Sequence, residues 1–131
     1  MSGTYRWKHG APRVVFITGG SSGIGRDMAR RLAAEGADIA LFNRSAAEDV
    51  LAELRTAARQ PAQRFACYRA DVAQAGSIEV AVHQAVAELG APDLAINSAG
   101  VIHARPLEEA SAQDFDRVID INLKGSRNFA A

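Results

Sequence analysis

Short apolar runs alternate with longer stretches of helical period along this chain. The runs Arg13 to Thr18, Asp38 to Asn43, Arg64 to Ala70 and Asp93 to Asn97 are strand-like, and each is too apolar for a sheet with one face in water. Between the first two, Ile24, Met28 and Leu32 recur at four-residue spacing beside Ala29 and Ala33, while Arg26, Arg30 and Glu35 fall on other faces. Gly36 is placed to end that helix in the left-handed conformation. Ser45-Ala46-Ala47-Glu48 has the form of a capping box and predicts a second helix carrying Val50, Leu51 and Leu54, stopping before Pro61. A third helix is predicted from about Gln74 to Leu89, with Ile78, Val82, Ala85 and Leu89 on one stripe and Gly90 and Pro92 closing it. After a loop from Ser98 to Pro106, Ser111-Ala112-Gln113-Asp114 predicts a last helix bearing Phe115, Val118, Ile119 and Phe129 and running to the final residue.

Strands alternating with helices imply βαβ units, and therefore a doubly wound α/β fold of Rossmann type: a parallel sheet between two helical layers. With 131 residues, 48% hydrophobic and 23% charged, the chain has the composition of one soluble globular domain, expected over residues 13–131 behind a tail of residues 1–12. Fifteen basic and fifteen acidic side chains cancel, with no dense basic cluster interleaved with aromatics, so no nucleic-acid partner is expected. No apolar run approaches the roughly 20 residues of a membrane span, and the polar start lacks the apolar segment of a secretory signal. A cytoplasmic protein with no membrane partner is the expectation. Cys67, the single cysteine, reads as a buried thiol, and no metal site is expected.

The chemistry concentrates in Thr18-Gly19-Gly20-Ser21-Ser22-Gly23-Ile24-Gly25, which follows an apolar strand and opens a helix. A strand, a glycine turn and a helix in that order make a pyrophosphate cradle, because glycine lets the backbone approach the phosphate and the free amides of the helix start attract it. Gly20 to Gly25 also has the glycine spacing of a P-loop, but Arg26 and Asp27 stand where lysine and a hydroxyl residue are required. Gly19-Gly20-Ser21-Ser22-Gly23 formally matches a hydrolase nucleophile elbow, which would make Ser21 a nucleophile; that reading leaves Gly25 unexplained.

The turn after the second strand reads Asn43-Arg44-Ser45. In dinucleotide folds an acidic residue here holds the ribose hydroxyls of NAD, whereas arginine receives the 2′-phosphate of NADP. A neutral Asn43 beside a cationic Arg44 favours NADP(H) over NAD(H).

Thr18-Gly19, Gly23 and Gly25, then Asp71-Val72 after the third strand, Asn97-Ser98-Ala99-Gly100 after the fourth and Asn122 in the following helix together resemble the short-chain dehydrogenases/reductases. The resemblance runs from Arg13 onward and implies strand order 3-2-1-4. It implies that Asp71 accepts from the adenine amino group and that the Val72 amide reaches the same ring. It further implies that Asn97 ties the fourth strand to its neighbours, that Ala99 and Gly100 leave space for a ribose, and that Asn122 helps hold an ordered water in a proton relay. Ser98 departs from the family's usual asparagine.

The family's catalytic serine, and its tyrosine with a lysine four residues later, would fall after Ala131. Tyr5 and Tyr68 have no such lysine, and Lys8 and Lys124 are the only lysines. Strand order 3-2-1-4 would leave Leu94-Ala95-Ile96 as an apolar edge, and a helix ending on Phe129-Ala130-Ala131 would have uncapped carbonyls. The natural protein is therefore expected to continue past Ala131, and this chain alone is expected to turn over nothing. The activity implied for the whole is hydride transfer between NADP(H) and a ketone, ketoacyl group or secondary alcohol, by a homo-oligomer (dimer or tetramer) packed through the last helix. A non-catalytic dinucleotide-binding module stands as the alternative, with a Ser21 hydrolase behind it. The loop Val101 to Pro106 is expected on the substrate side, where His103 or Arg105 would meet a polar group; a solvent-facing loop is the preferred reading of both.

Overall fold

The computed structural model describes residues 10–100 and 111–130. Four parallel strands, β1 (Val14–Thr18), β2 (Asp38–Asn43), β3 (Phe65–Arg69) and β4 (Leu94–Asn97), lie in the order β3-β2-β1-β4. Strand β1 pairs with β2 from Val14 opposite Asp38 to Thr18 opposite Phe42, and with β4 from Val15 opposite Leu94 to Thr18 opposite Asn97. Alternation of side chains along the strands sends Val15, Ile17, Ile39 and Leu41 to one face and Phe16, Ala40 and Phe42 to the other. On the first face they pack with α1 (Gly23–Ala34) and α2 (Glu48–Ala57); on the second with α3 (Ala75–Leu89) and the C-terminal helix. The three-layer, doubly wound architecture expected from the sequence is the one observed.

Helix ends follow local chemistry. Gly36, at φ 104°, closes α1 by donating to the Ala33 carbonyl (3.1 Å), while Ala37 donates to Leu32 (3.1 Å). The Arg64 guanidinium satisfies the end of α3, donating to the carbonyls of Glu88 (2.8 Å) and Leu89 (3.2 Å) while also binding Asp38.

Three expectations change. The Ser45 capping box does not form: α2 begins at Glu48 behind Ala47, with no side-chain cap. Ala47 is buried in the core with Val50 and Leu51, and this burial, rather than the Ser45 hydroxyl, fixes the helix start. A single α-helix was expected near the C-terminus. A capping box of Ser111 and Asp114 does start α4 (Ala112–Val118), but Ile119–Lys124 forms a π-helical segment before α5 (Gly125–Ala130). The wider turn brings Ile121 and Gly125 inward and leaves Val118 and Ile119 half-buried. Gly125 presses on Val72, where an added Cβ would lie 2.7 Å from Cγ2. The third change concerns cover: β4 is not buried on both faces, since Leu94 and Ile96 are half-buried and Ala95 and Asn97 exposed. Among the described residues β4 has one strand neighbour, β1.

Candidate functional site

A cavity of ≈ 390 Å³ opens at the carboxyl ends of the strands, between the loop after β1 and the ends of β2, β3 and β4. Its floor is fixed by glycines that admit no side chain. Gly19 (φ 66°) lies so close to the β4 end that a Cβ would sit 2.7 Å from the Ala99 backbone, and a Cβ on Gly25 would sit 2.4 Å from the Gly19 carbonyl oxygen. Gly23 also has positive φ (56°), but an added Cβ there would meet nothing within 4 Å. Two glycines are thus demanded by close packing, while the third borders open space. Ser21, Ser22, Gly23 and Ile24 line that space, Ile24 being 76% exposed at its lip. No side chain caps α1 at Ser22 and no acidic residue sits in its first turn, so the positive end of the helix dipole faces the cavity unopposed.

Thr18 lies beneath this loop rather than on the cavity wall. It is fully buried, its hydroxyl donating to Asn97 Oδ1 (2.6 Å) and accepting from the amides of Ser98 (3.1 Å) and Ala99 (3.3 Å). Gly25 is likewise buried and off the wall. Asn97 passes the connection on, donating to Ser126 Oγ, which donates to the Asn122 carbonyl (2.8 Å). A hydrogen-bonded chain therefore runs from β1 through β4 to the π-helical segment. Asn122 packs against Gly100, where an added Cβ would lie 3.3 Å from Oδ1, but it is not part of the cavity lining.

At the end of β2, Asn43 Oδ1 accepts from the Gly20 amide (3.1 Å) and Nδ2 donates to Cys67 Sγ (3.5 Å). Its amide group thus braces the glycine loop, and Cys67 is half-buried beneath it. Arg44 and Ser45 follow on the wall, both exposed, and among the described residues Arg44 has no ion-pair or hydrogen-bond partner. Arg26, by contrast, is committed to Glu53 (2.6 Å) and Asp49 (3.7 Å), and its bond to Glu53 raises its pKa. Among the described residues, Arg44 is the cation on the wall of this cavity.

The remaining wall comes from Asp71 and Val72 after β3 and from Ala99 and Gly100 after β4. Asp71 Oδ1 accepts from the Ala73 amide (3.0 Å), and the Asp71 amide donates to Ser77 Oγ (3.1 Å), so the carboxylate is oriented by its own turn. Phe42, Ala70, Ser98 and Ile121 also line the cavity without having been singled out as binding residues. The first three adjoin predicted site residues and are visible as strand-end positions; Ile121 reaches the wall through the π-helical segment, which no periodicity signals. His103 and Arg105 lie outside the described residues.

Two chemistries are disfavoured. Among the described residues only glycines have positive φ, so Ser21 is not held on a strained elbow. Tyr68 donates to the Glu88 carboxylate, and burial first, then that bond, push its pKa up, the reverse of what a proton donor needs.

A family model described as short chain dehydrogenase matches residues 13–131. D-threitol dehydrogenase of Mycolicibacterium smegmatis is 41% identical over 87% of this chain and 43% of its own length. NADPH-dependent pterin aldehyde reductase of Arabidopsis thaliana is 37% identical over 90% of this chain and 48% of its own. The crystal structure of 3-oxoacyl-[acyl-carrier protein] reductase from Brucella melitensis in complex with NAD superposes with a TM-score of 0.81 at 31% identity, covering 91% of this chain and 46% of that one. The chain spans about half the length of the relatives it matches.

Proposed function

The chain belongs to the short-chain dehydrogenase family, and from that premise we propose that it is the cofactor-holding part of an NADP(H)-dependent oxidoreductase acting on a ketone or ketoacyl group and the corresponding secondary alcohol. The observation that carries the cofactor choice is Arg44, exposed at the cavity rim and unpaired among the described residues, beside an Asn43 whose amide is already spent on Gly20 and Cys67. The donor set fits a dinucleotide: a glycine loop held close against the β4 end and open at Gly23, an uncapped helix start, a cation at the end of β2 and an oriented carboxylate at the end of β3.

In this reading the loop from Gly19 to Ile24 holds the pyrophosphate, Arg44 with Asn43 and Ser45 surrounds the adenosine ribose, and Asp71 with Val72 holds the adenine. Ala99 and Gly100 form the floor for the second ribose, above Thr18 and Asn97. When bound, the nicotinamide supplies or accepts hydride at the carbonyl or carbinol carbon. Asn122 is a positioning residue in a proton path whose donor is not Tyr68. The proposed assembly is a homo-oligomer built on the C-terminal helical run, where Leu123 of the π-helical segment is 64% exposed.

Arg44→Asp tests the cofactor assignment. Replacing attraction for a 2′-phosphate by repulsion is expected to shift the NADPH-to-NADH preference at least about tenfold towards NADH, measured as the ratio of kcat/KM values in the intact protein. An unchanged ratio would remove Arg44 from the site.

A further inference from the structure

A second arginine stands beside Arg44 with no assigned role. Arg69 ends β3, and the parallel pairing of β2 with β3 sets it opposite Asn43, the residue before Arg44. Arg44 and Arg69 line one recess of ≈ 210 Å³ with Asp71 and Ser77, and this recess shares Arg44, Ala70 and Asp71 with the main cavity. Both arginines are exposed, and among the described residues neither has an ion-pair or hydrogen-bond partner. Several other arginines here do find carboxylates: Arg26 binds Glu53, Arg30 and Arg31 bind Asp27, and Arg64 binds Asp38.

Two arginines lining one recess bring like charges together, and the single lining carboxylate, Asp71, already accepts from the Ala73 amide. The recess therefore carries an excess positive charge that an anion would offset. Planar guanidinium forks suit a phosphate oxygen by oxygen, and a phosphate group carries enough oxygens for both. The geometry points to Arg69 as the second arm of a guanidinium clamp on the 2′-phosphate of NADP(H), Arg44 being the first. The inference rests on the NADP(H) reading and adds to it a specificity-determining residue on a different strand.

The test is calorimetric titration of the intact protein with NADP⁺ and with NAD⁺, for the natural sequence, Arg44→Gln, Arg69→Gln and Arg69→Lys. Because the site is open to solvent, Arg69→Gln is expected to weaken NADP⁺ binding about five- to tenfold, with NAD⁺ binding, which has no phosphate there, as the internal reference that stays put. Arg69→Lys is expected to recover part of the loss. Equal losses for both cofactors would make Arg69 a structural residue and overturn the clamp. If Arg44→Gln weakens NADP⁺ selectively while Arg69→Gln does not, the clamp is overturned and the NADP(H) reading stands. No selective loss in either variant would overturn both.

Discussion

Strands β1 and β4 lie side by side and read almost equally apolar, yet the fold treats them differently. Val15, Phe16 and Ile17 are 0–1% exposed, whereas Leu94 and Ile96 are half-buried and Ala95 and Asn97 face solvent. Strand β1 has a parallel neighbour on each side and lies between the two side-chain clusters; β4 has one neighbour among the described residues. Different forces follow from the different surroundings. Packing holds β1, while polar ties hold β4: Asp93 accepts from the amides of Arg13 (2.9 Å) and Val14 (3.1 Å), and Thr18 donates to Asn97. An apolar strand sequence states a demand for cover, and the neighbours decide how far that demand is met.

The largest expected effect compares the packed core around β1 with β4. Phe42, beside β1, has ring contacts with Phe16 (5.3 Å), Tyr68 (5.6 Å) and Phe129 (5.7 Å). Phe42→Ala is expected to cost about 3–5 kcal/mol in urea unfolding, against less than about 2 kcal/mol for Ile96→Ala in β4. Equal costs would mean that the exposure of β4 does not describe its contribution to stability.

The junction between the regions gives the next effect. Gly19→Ala meets both a positive φ and the Ala99 backbone, whereas Gly23→Ala meets only the positive φ. Both carry the strain of a left-handed alanine, about 1–3 kcal/mol, and Gly19→Ala is expected to lose more in thermal unfolding and also to weaken dinucleotide binding by parting the loop from β4. A Gly23→Ala variant as damaging to stability as Gly19→Ala would remove the close approach as the reason for glycine.

The smallest effect lies on β3, at the opposite end of the described sheet from β4. Burial, followed by the bond to Glu88, raises the Tyr68 pKa above its ordinary value, so the fold favours the neutral phenol. That contribution is complete below the unfolded-state pKa of about 10 and declines as pH rises above it. The melting temperature is therefore expected to fall more steeply above pH 10 in the natural sequence than in Tyr68→Phe, and parallel pH profiles would remove Tyr68 as the source.

The legible features were those whose information is local. Apolar runs separated by helical periods gave the four strands, three helices and the layered α/β class, because period and length report which faces are buried. The glycine spacing was readable because a turn against a neighbouring strand excludes side chains whatever surrounds it. Features set by distant partners were not readable. The start of α2 waits on the burial of Ala47, and the π-helical segment accompanies the close seat of Gly125 on Val72 and the inward turn of Ile121.

The candidate site divides along the same line. Sequence alone determined that a glycine cradle, Asn43-Arg44, Asp71 and Ala99-Gly100 would stand at strand ends, since parallel βαβ units bring all such ends to one side of a sheet. Tertiary structure decided their duties: it buried Thr18 as a brace, spent the Asn43 amide on the loop, left Arg44 unpaired among the described residues and set Arg69 beside it. Residue type and spacing name the groups available, but which of them remain free for a ligand depends on partners 23 to 80 residues away that only the folded chain brings within reach.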